Sequence, residues 1–237
     1  MTGTTPRARA RARTMDDIVR IGREHLAVHG AAALSLRAVA RDLGVVSSAV
    51  YRYVSSRDEL LTMLVVDGFT ELADTVDTAL ATAPADARAR IMVVGRTVRA
   101  WALAEPARYG LLYGTPVPGY QAPAQQTVPP GTRLIGTLLQ IVDNACRTET
   151  VAVPEPKPRL SAGLAADFAL IRDAFGLAVP DSVLLRTVSL WTGMFGAISF
   201  DVFDQYGEST FSDRAELFDH QLDGLCDLLG LPAAPAR

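Results

Sequence analysis

A chain of 237 residues with 49% hydrophobic content holds enough apolar surface to build a core, which excludes wholesale disorder and allows one large domain or a small domain joined to a larger one. Its net charge of −3 would disfavour nucleic acid if it were spread evenly, but residues 1–60 hold ten arginines against six acids, a net of +4 that leaves −7 for the remainder. A basic head on an acidic body is the asymmetry expected of a phosphate-facing module attached to a regulatory or association domain.

No apolar run is read as long enough to span a bilayer, and the N-terminus alternates Arg and Ala where a secretory signal needs an apolar core, so the expected location is the cytoplasm, with no membrane partner. Cys146 and Cys226 fall in separate expected helices without CxxC spacing and are read as buried, reduced packing residues. His25, His29 and His220 have no partners at ligand spacing, so no metal and no cofactor is expected.

Strand signals are scarce, whereas apolar residues recur at i, i+3, i+4 and i+7 almost throughout, which predicts an all-α fold. Residues 1–13 read as a disordered basic arm, whose Arg7, Arg9, Arg11 and Arg13 could reach phosphates or a narrow minor groove. A first helix is expected from Thr14, as N-cap, to Gly30. A second opens at Ser35, with Leu36, Val39, Ala40 and Leu43 on one face and Gly44 as its stop. A third covers Ser47 to Tyr53, and a long fourth runs from about Arg57 to Ala83.

Beyond Ala83-Pro84-Ala85 the pattern predicts a long helix to about Glu105 and a short aromatic one holding Tyr109 and Tyr113. The segment 115–130, with Pro116, Pro118, Pro123, Pro129 and Pro130, is expected to be non-helical. Helices follow over Thr132–Cys146, Leu160–Phe175, Asp181–Tyr206 and Ser212–Leu229, with a second proline-rich piece at Val153–Pro158.

The stretch Ser35 to Leu61 carries the chemistry. Two short helices separated by a turn after Gly44 have helix-turn-helix spacing, with Val39, Leu43, Val45 and Val50 placed to clamp them together. Ser47, Ser48, Ala49, Tyr51, Arg52 and Tyr53 are short or hydrogen-bonding and suit a major groove about 12 Å wide, while Val50 and Val54 turn inward. Tyr51 and Tyr53 could be core-edge aromatics, but their interleaving with Arg52 favours contact with phosphates or bases. Ser35 and Arg37 stand at the exposed start of the second helix, placed for backbone or groove-edge contact.

These residues resemble the TetR family of regulators. Ser35, Arg37, Val39 and Ala40 fit its second helix, Leu43-Gly44-Val45 its turn, Val50-Tyr51-Arg52-Tyr53-Val54 its recognition helix, and Ser56-Arg57-Asp58-Glu59-Leu60-Leu61 the start of its fourth. The resemblance implies a homodimer with ligand-controlled DNA binding, in which Tyr51 and Arg57 hold phosphates. Val46 departs from the pattern, because its place is often held by a Ser or Thr that caps the third helix. Further on, Glu105-Pro106-Ala107-Arg108-Tyr109 and Trp191-Thr192-Gly193-Met194-Phe195-Gly196 resemble a subgroup named for a Trp-His-Gly motif, with Thr192 in place of the His.

The expected organisation is therefore the arm at 1–13, a DNA-binding domain at 14–72 and an effector-binding and dimerisation domain at 73–237. Trp101, Tyr109, Tyr113, Phe168, Phe175, Trp191 and Phe195 are candidates to line an apolar cavity for a small apolar or amphipathic effector, although each alone could be core packing. The last two long helices are the expected dimer seam, and the operator a double-stranded inverted repeat. An enzyme reading has only Asp201 and Asp204 one turn apart, with no nucleophile beside a base and no phosphate cradle, so no catalysis is expected. The alternative to an effector-released repressor is a helical ligand-binding protein or enzyme whose pocket is not coupled to DNA.

Overall fold

The computed structural model describes residues 5–148, 151–152 and 159–232, so the proline-rich Val153–Pro158 and the first four residues of the arm lie outside the described part. Its helices are α1 (Pro6–His29), α2 (Leu36–Asp42), α3 (Ser47–Val50), α4 (Arg57–Leu80), α5 (Ala87–Ala104), α6 (Pro106–Tyr113), α7 (Ala124–Gly131), α8 (Arg133–Arg147), α9 (Ala162–Phe175), α10 (Asp181–Val202) and α11 (Arg214–Leu229). No strand occurs among the described residues. The chain divides into two compact units, one of residues up to 71 with 105–131, the other of 72–104 with the residues from 132 onward.

The first unit differs from expectation at both ends. α1 starts at Pro6 and not at Thr14, so most of the segment read as a disordered arm is helical. Pro at the first helical position arrives with its φ preset, and alternating Ala and Arg are among the strongest helix formers. The cap is Thr5, whose Oγ1 accepts from the Ala8 amide at 3.3 Å, while Thr14 bonds back to the Ala10 carbonyl from within the helix.

Residues 105–131 pack with the head, although the sequence pattern assigned them to the body. Ala107, Leu111, Val117 and Tyr120 lie against the core of Ile18, Leu26, Val39, Val50, Leu60 and Leu64, and the Tyr120 hydroxyl meets the Thr62 hydroxyl at 3.1 Å. The attachment is also ionic. Arg108, whose side chain is only 4% exposed, reaches Glu71 at 2.7 Å and Asp67 at 3.0 Å, and Arg23 of α1 binds the same two carboxylates.

The expectation of no helix in 115–130 is corrected by α7, which contains Pro129 and Pro130. Each proline forfeits one amide donor but holds a helical φ, and both sit at the end of an eight-residue helix where few bonds remain to be lost.

The second unit is built around α10, which packs on α11, α5, α8 and α9. Met194, Leu190, Ile198, Leu222 and Ile91 are fully buried there. Gly95 lets α5 approach α11 closely, since a Cβ at that position would lie 2.3 Å from Leu222 Cδ2. Arg88 of α5 is held in the same seam, donating to Asp223, Asp227 and the Leu231 carbonyl.

By length and composition α10 could cross a membrane, which corrects the reading that no run is long enough. Its apolar character is put to use inside this unit, and its buried Asp201 is paired with Arg99 and Arg214. Asp204 is bonded to Arg214 as well. The two carboxylates considered for catalysis are thus structural partners of arginines. Cys226 is buried and free, and burial pushes its thiol up to about 12; Cys146 is only half-buried, against the expectation that both are buried, and burial raises its thiol too. Both stay protonated at neutral pH and are inert by that measure.

Candidate nucleic-acid interface

The turn between α2 and α3 has the hydrogen bonds of a Schellman stop. The Val45 amide donates to the Ala40 carbonyl and the Gly44 amide to the Arg41 carbonyl, with Gly44 at φ +70°. Val39, Ala40, Val50 and Val54 are buried beneath the turn and fix the two helices against α1 and α4. α3 is a single α-turn whose hydrogen bonding continues through Tyr53 and Val54, so the expected two-turn helix is shorter and tighter at its end. Ser56 caps α4 by accepting from the Glu59 amide at 3.1 Å, and the Glu59 carboxylate accepts from the Ser55 amide and hydroxyl, which holds that carboxyl below its usual range.

Arg37, Ser48, Tyr51 and Arg52 are exposed, and Ser35, Ser47 and Ala49 are half-buried on the same turn-and-helix region. The side chains of Arg37, Ser48, Tyr51 and Arg52 engage no other described residue by hydrogen bond or ion pair, which leaves them available to an external partner. Ser35, Arg37, Tyr51 and Arg57 meet around one shallow concavity of about 320 Å³, completed by Leu34 and Leu36. Two guanidiniums, a phenol and a hydroxyl with no carboxylate in the lining make a surface suited to a phosphate.

Two candidates carry internal duties. Arg57 donates from Nη2 to the Ala31 carbonyl at 2.9 Å and the Ala32 carbonyl at 3.3 Å, so it braces the turn between α1 and α2 as well as facing the concavity. Its buried Nε has no partner among the described residues. Tyr53 is half-buried on the core, with the Arg11 guanidinium 5.1 Å from its ring centroid. That stacking ties one arginine of the N-terminal run to the recognition segment.

Arg41, one turn beyond Arg37 and 76% exposed, was not among the sequence candidates although its i+4 spacing places it beside Arg37. It pairs with Asp42, whose carboxyl is held below its ordinary range first by a 2.6 Å hydrogen bond to His25 and then by Arg41. The carboxylate on this face is therefore compensated. Val46, just before α3, is 71% exposed and offers no side-chain cap to it.

The seven aromatic residues expected to line an effector cavity are divided between the two units. Tyr109 and Tyr113, with ring centroids 5.3 Å apart, belong to the first unit, where Tyr113 stands edge-on to Phe69 and burial raises its phenol pKa. Trp101, Phe168 and Phe195 are buried in the second unit, Trp191 lies against Phe195, and Phe175 fills the space above Gly136.

Two concavities within the second unit are lined by other residues. One, of about 590 Å³, lies between the start of α5 and α8 and is lined by Asp86, Arg90, Thr137, Gln140, Ile141 and Asn144 among others. The second, of about 450 Å³, runs along α10 and α11 past Gly193, Gly196, Ala197, Phe200 and Leu225. Among the described residues no three His, Cys, Asp or Glu side chains gather as a metal site.

Comparison with known proteins agrees with this geometry. The family model of bacterial regulatory proteins of the tetR family matches residues 14–64, and that of the tetracyclin repressor-like C-terminal domain matches residues 91–225. The HTH-type transcriptional regulator Rv1816 of Mycobacterium tuberculosis is 46% identical over 216 residues, covering 90% of each chain. The solved regulatory protein SCO4313 is 32% identical with a TM-score of 0.74, over 94% of this chain and 100% of the other. A protein from Rhodococcus sp. RHA1 shares the fold at a TM-score of 0.68 and 21% identity, over 91% and 94% of the two chains. With an all-helical fold, a helix-turn-helix that presents a basic, uncommitted face, and relatives matched almost end to end, the chain belongs to the TetR family of transcriptional regulators and binds DNA through this helix-turn-helix.

Proposed function

We propose that the protein is a cytoplasmic homodimeric repressor that holds an inverted-repeat operator through α3 and releases it when a small amphipathic molecule binds the second unit. The observation that carries this reading is the concavity where Ser35, Arg37, Tyr51 and Arg57 converge beside the exposed Ser48 and Arg52. In a dimer two such faces sit one turn of DNA apart, and a symmetric protein reads a symmetric site. The ligand end of the proposal is supported by the polar concavity near Arg90, which offers a guanidinium, a hydroxyl and amides beside Ile141 and Ala145. α4 is continuous from the first unit into the second, 24 residues or about 36 Å of helix, and supplies a mechanical link by which ligand and operator oppose each other with equal coupling.

The second copy would seat on α10 and α11, where Phe200, Phe203, Val188 and Leu228 are exposed and Gly196 and Ala197 permit close approach. A Cβ at Gly196 meets nothing within 4 Å, so a side chain there leaves the monomer undisturbed. Gly196→Arg is expected to convert a dimer to a monomer by light scattering, with an unchanged helical spectrum, and to weaken operator binding. The test of the whole reading is to recover the DNA bound by the full chain, footprint it, and screen small amphipathic acids for release. An inverted repeat protected on both half-sites and released by a ligand is the expected result; an asymmetric footprint, or ligands that bind without releasing DNA, contradicts it.

A further inference from the structure

We infer that Val46 reads a thymine, its isopropyl group packing on the C5-methyl of one thymine in the major groove of each operator half-site, an inference that rests on the operator-binding reading above. Val46 immediately precedes the recognition helix and is 71% exposed, and its neighbour Val45 is 44% exposed. Both are continuous with the uncommitted polar face formed by Ser48, Tyr51 and Arg52. The place is otherwise suited to a hydroxyl that caps the helix, and here no side-chain cap is made.

An isopropyl group can neither donate to a phosphate nor accept from a base amine, so it contributes nothing to backbone contacts. It has one apolar counterpart in the major groove. Only thymine presents a methyl there, beside the O4 acceptor, whereas guanine, cytosine and adenine present polar edges. Ser47 and Ser48, next in the chain, are the residue types that would hydrogen-bond the edges of adjacent bases. Val46 therefore adds a demand for a methyl group to a surface otherwise built from hydrogen bonds and charge.

The test begins with duplexes enriched from a random pool by the full-length protein. In the tightest duplex each thymine is replaced in turn by deoxyuridine, which deletes the methyl and leaves every hydrogen-bonding group in place. One symmetric pair of positions is expected to be sensitive, losing about 4-fold in affinity when one half-site is changed and about 15-fold when both are, the effect of a buried methyl. Restoring the methyl as 5-methylcytosine, relative to cytosine at the same position, should recover affinity. Val46→Ala, at an exposed position where the fold does not depend on the side chain, should bind the thymine duplex more weakly and lose most of its discrimination against uracil. Uniform tolerance of uracil, or a uracil penalty of undiminished size in Val46→Ala, overturns the inference while leaving operator binding intact. Failure to enrich any duplex overturns the operator reading, and the inference with it.

Discussion

Arg108→Met is expected to destabilise the protein by about 3 kcal/mol, because breaking a buried ion pair on one side leaves two carboxylates to share a single guanidinium. The guanidinium is 4% exposed and faces Asp67, Glu71 and Glu105, while Arg23 shares the first two from the α1 side. With Arg108 gone, Arg23 at 35% exposure is left opposite both carboxylates, and α6 loses the charge that fastens it to α4. Methionine keeps much of the volume, so the loss reports charge and not a cavity. The measurement is denaturant unfolding of wild type and variant, repeated in an Asp67→Asn/Glu71→Gln background. There Arg108 is itself the buried charge deprived of both carboxylates, and the same Arg108→Met change should cost nothing or stabilise. Equal costs in the two backgrounds would show that the ionic cluster does not hold α6.

A second large effect is expected where α5 meets α11. Leu222→Ala should lower stability by about 2–5 kcal/mol, the range for emptying a fully buried leucine site, since Leu222 is 0% exposed. Gly95→Ala alone should cost about 1–3 kcal/mol, because the new methyl overlaps a leucine that has nowhere to retreat. Its Cβ would stand 2.3 Å from Leu222 Cδ2 and 3.4 Å from Leu222 Cδ1 and Cγ. Together the two should cost less than Leu222→Ala alone, with the methyl added at position 95 entering space the leucine has vacated. Such a sign change is the mark of directly coupled neighbours. Simple additivity by thermal or urea unfolding would refute the close approach of these helices.

The helix-turn-helix was legible in the sequence because its signals are local. A glycine stop after a two-turn amphipathic stretch and a serine-led restart specify the turn without reference to the rest of the chain, and Gly44 carries the positive φ that the stop demands. The start of α1 was also locally encoded. Pro6 and the Ala-Arg alternation are helix-forming signals, although the same run of charge also suits a phosphate-binding arm.

What local pattern could not supply was partnership between distant segments. Arg108 reads as one more charge on a short helix until Asp67 and Glu71, about forty residues earlier, are brought beside it. For the same reason the pattern did not place Tyr109 and Tyr113 in the first unit. Periodicity locates a buried face and does not say which element covers it. Arg57 shows the limit for single residues, since family likeness implies a phosphate contact whereas the fold also gives it two carbonyls to bind.

The central claim, that this chain binds operator DNA through the face of α2 and α3, is tested most directly by fluorescence anisotropy at fixed salt. The probes are the tightest duplex enriched by the full-length protein and a scrambled duplex of the same length. Arg37→Ala/Tyr51→Ala removes two exposed side chains that line the basic concavity and leaves the core untouched. The variant is expected to stay dimeric and to unfold at the wild-type temperature, while its affinity for the enriched duplex falls by about 1,000-fold or more, from two lost contacts in each half-site at roughly 1–3 kcal/mol apiece. Wild-type affinity for that duplex in the folded double variant would contradict the account.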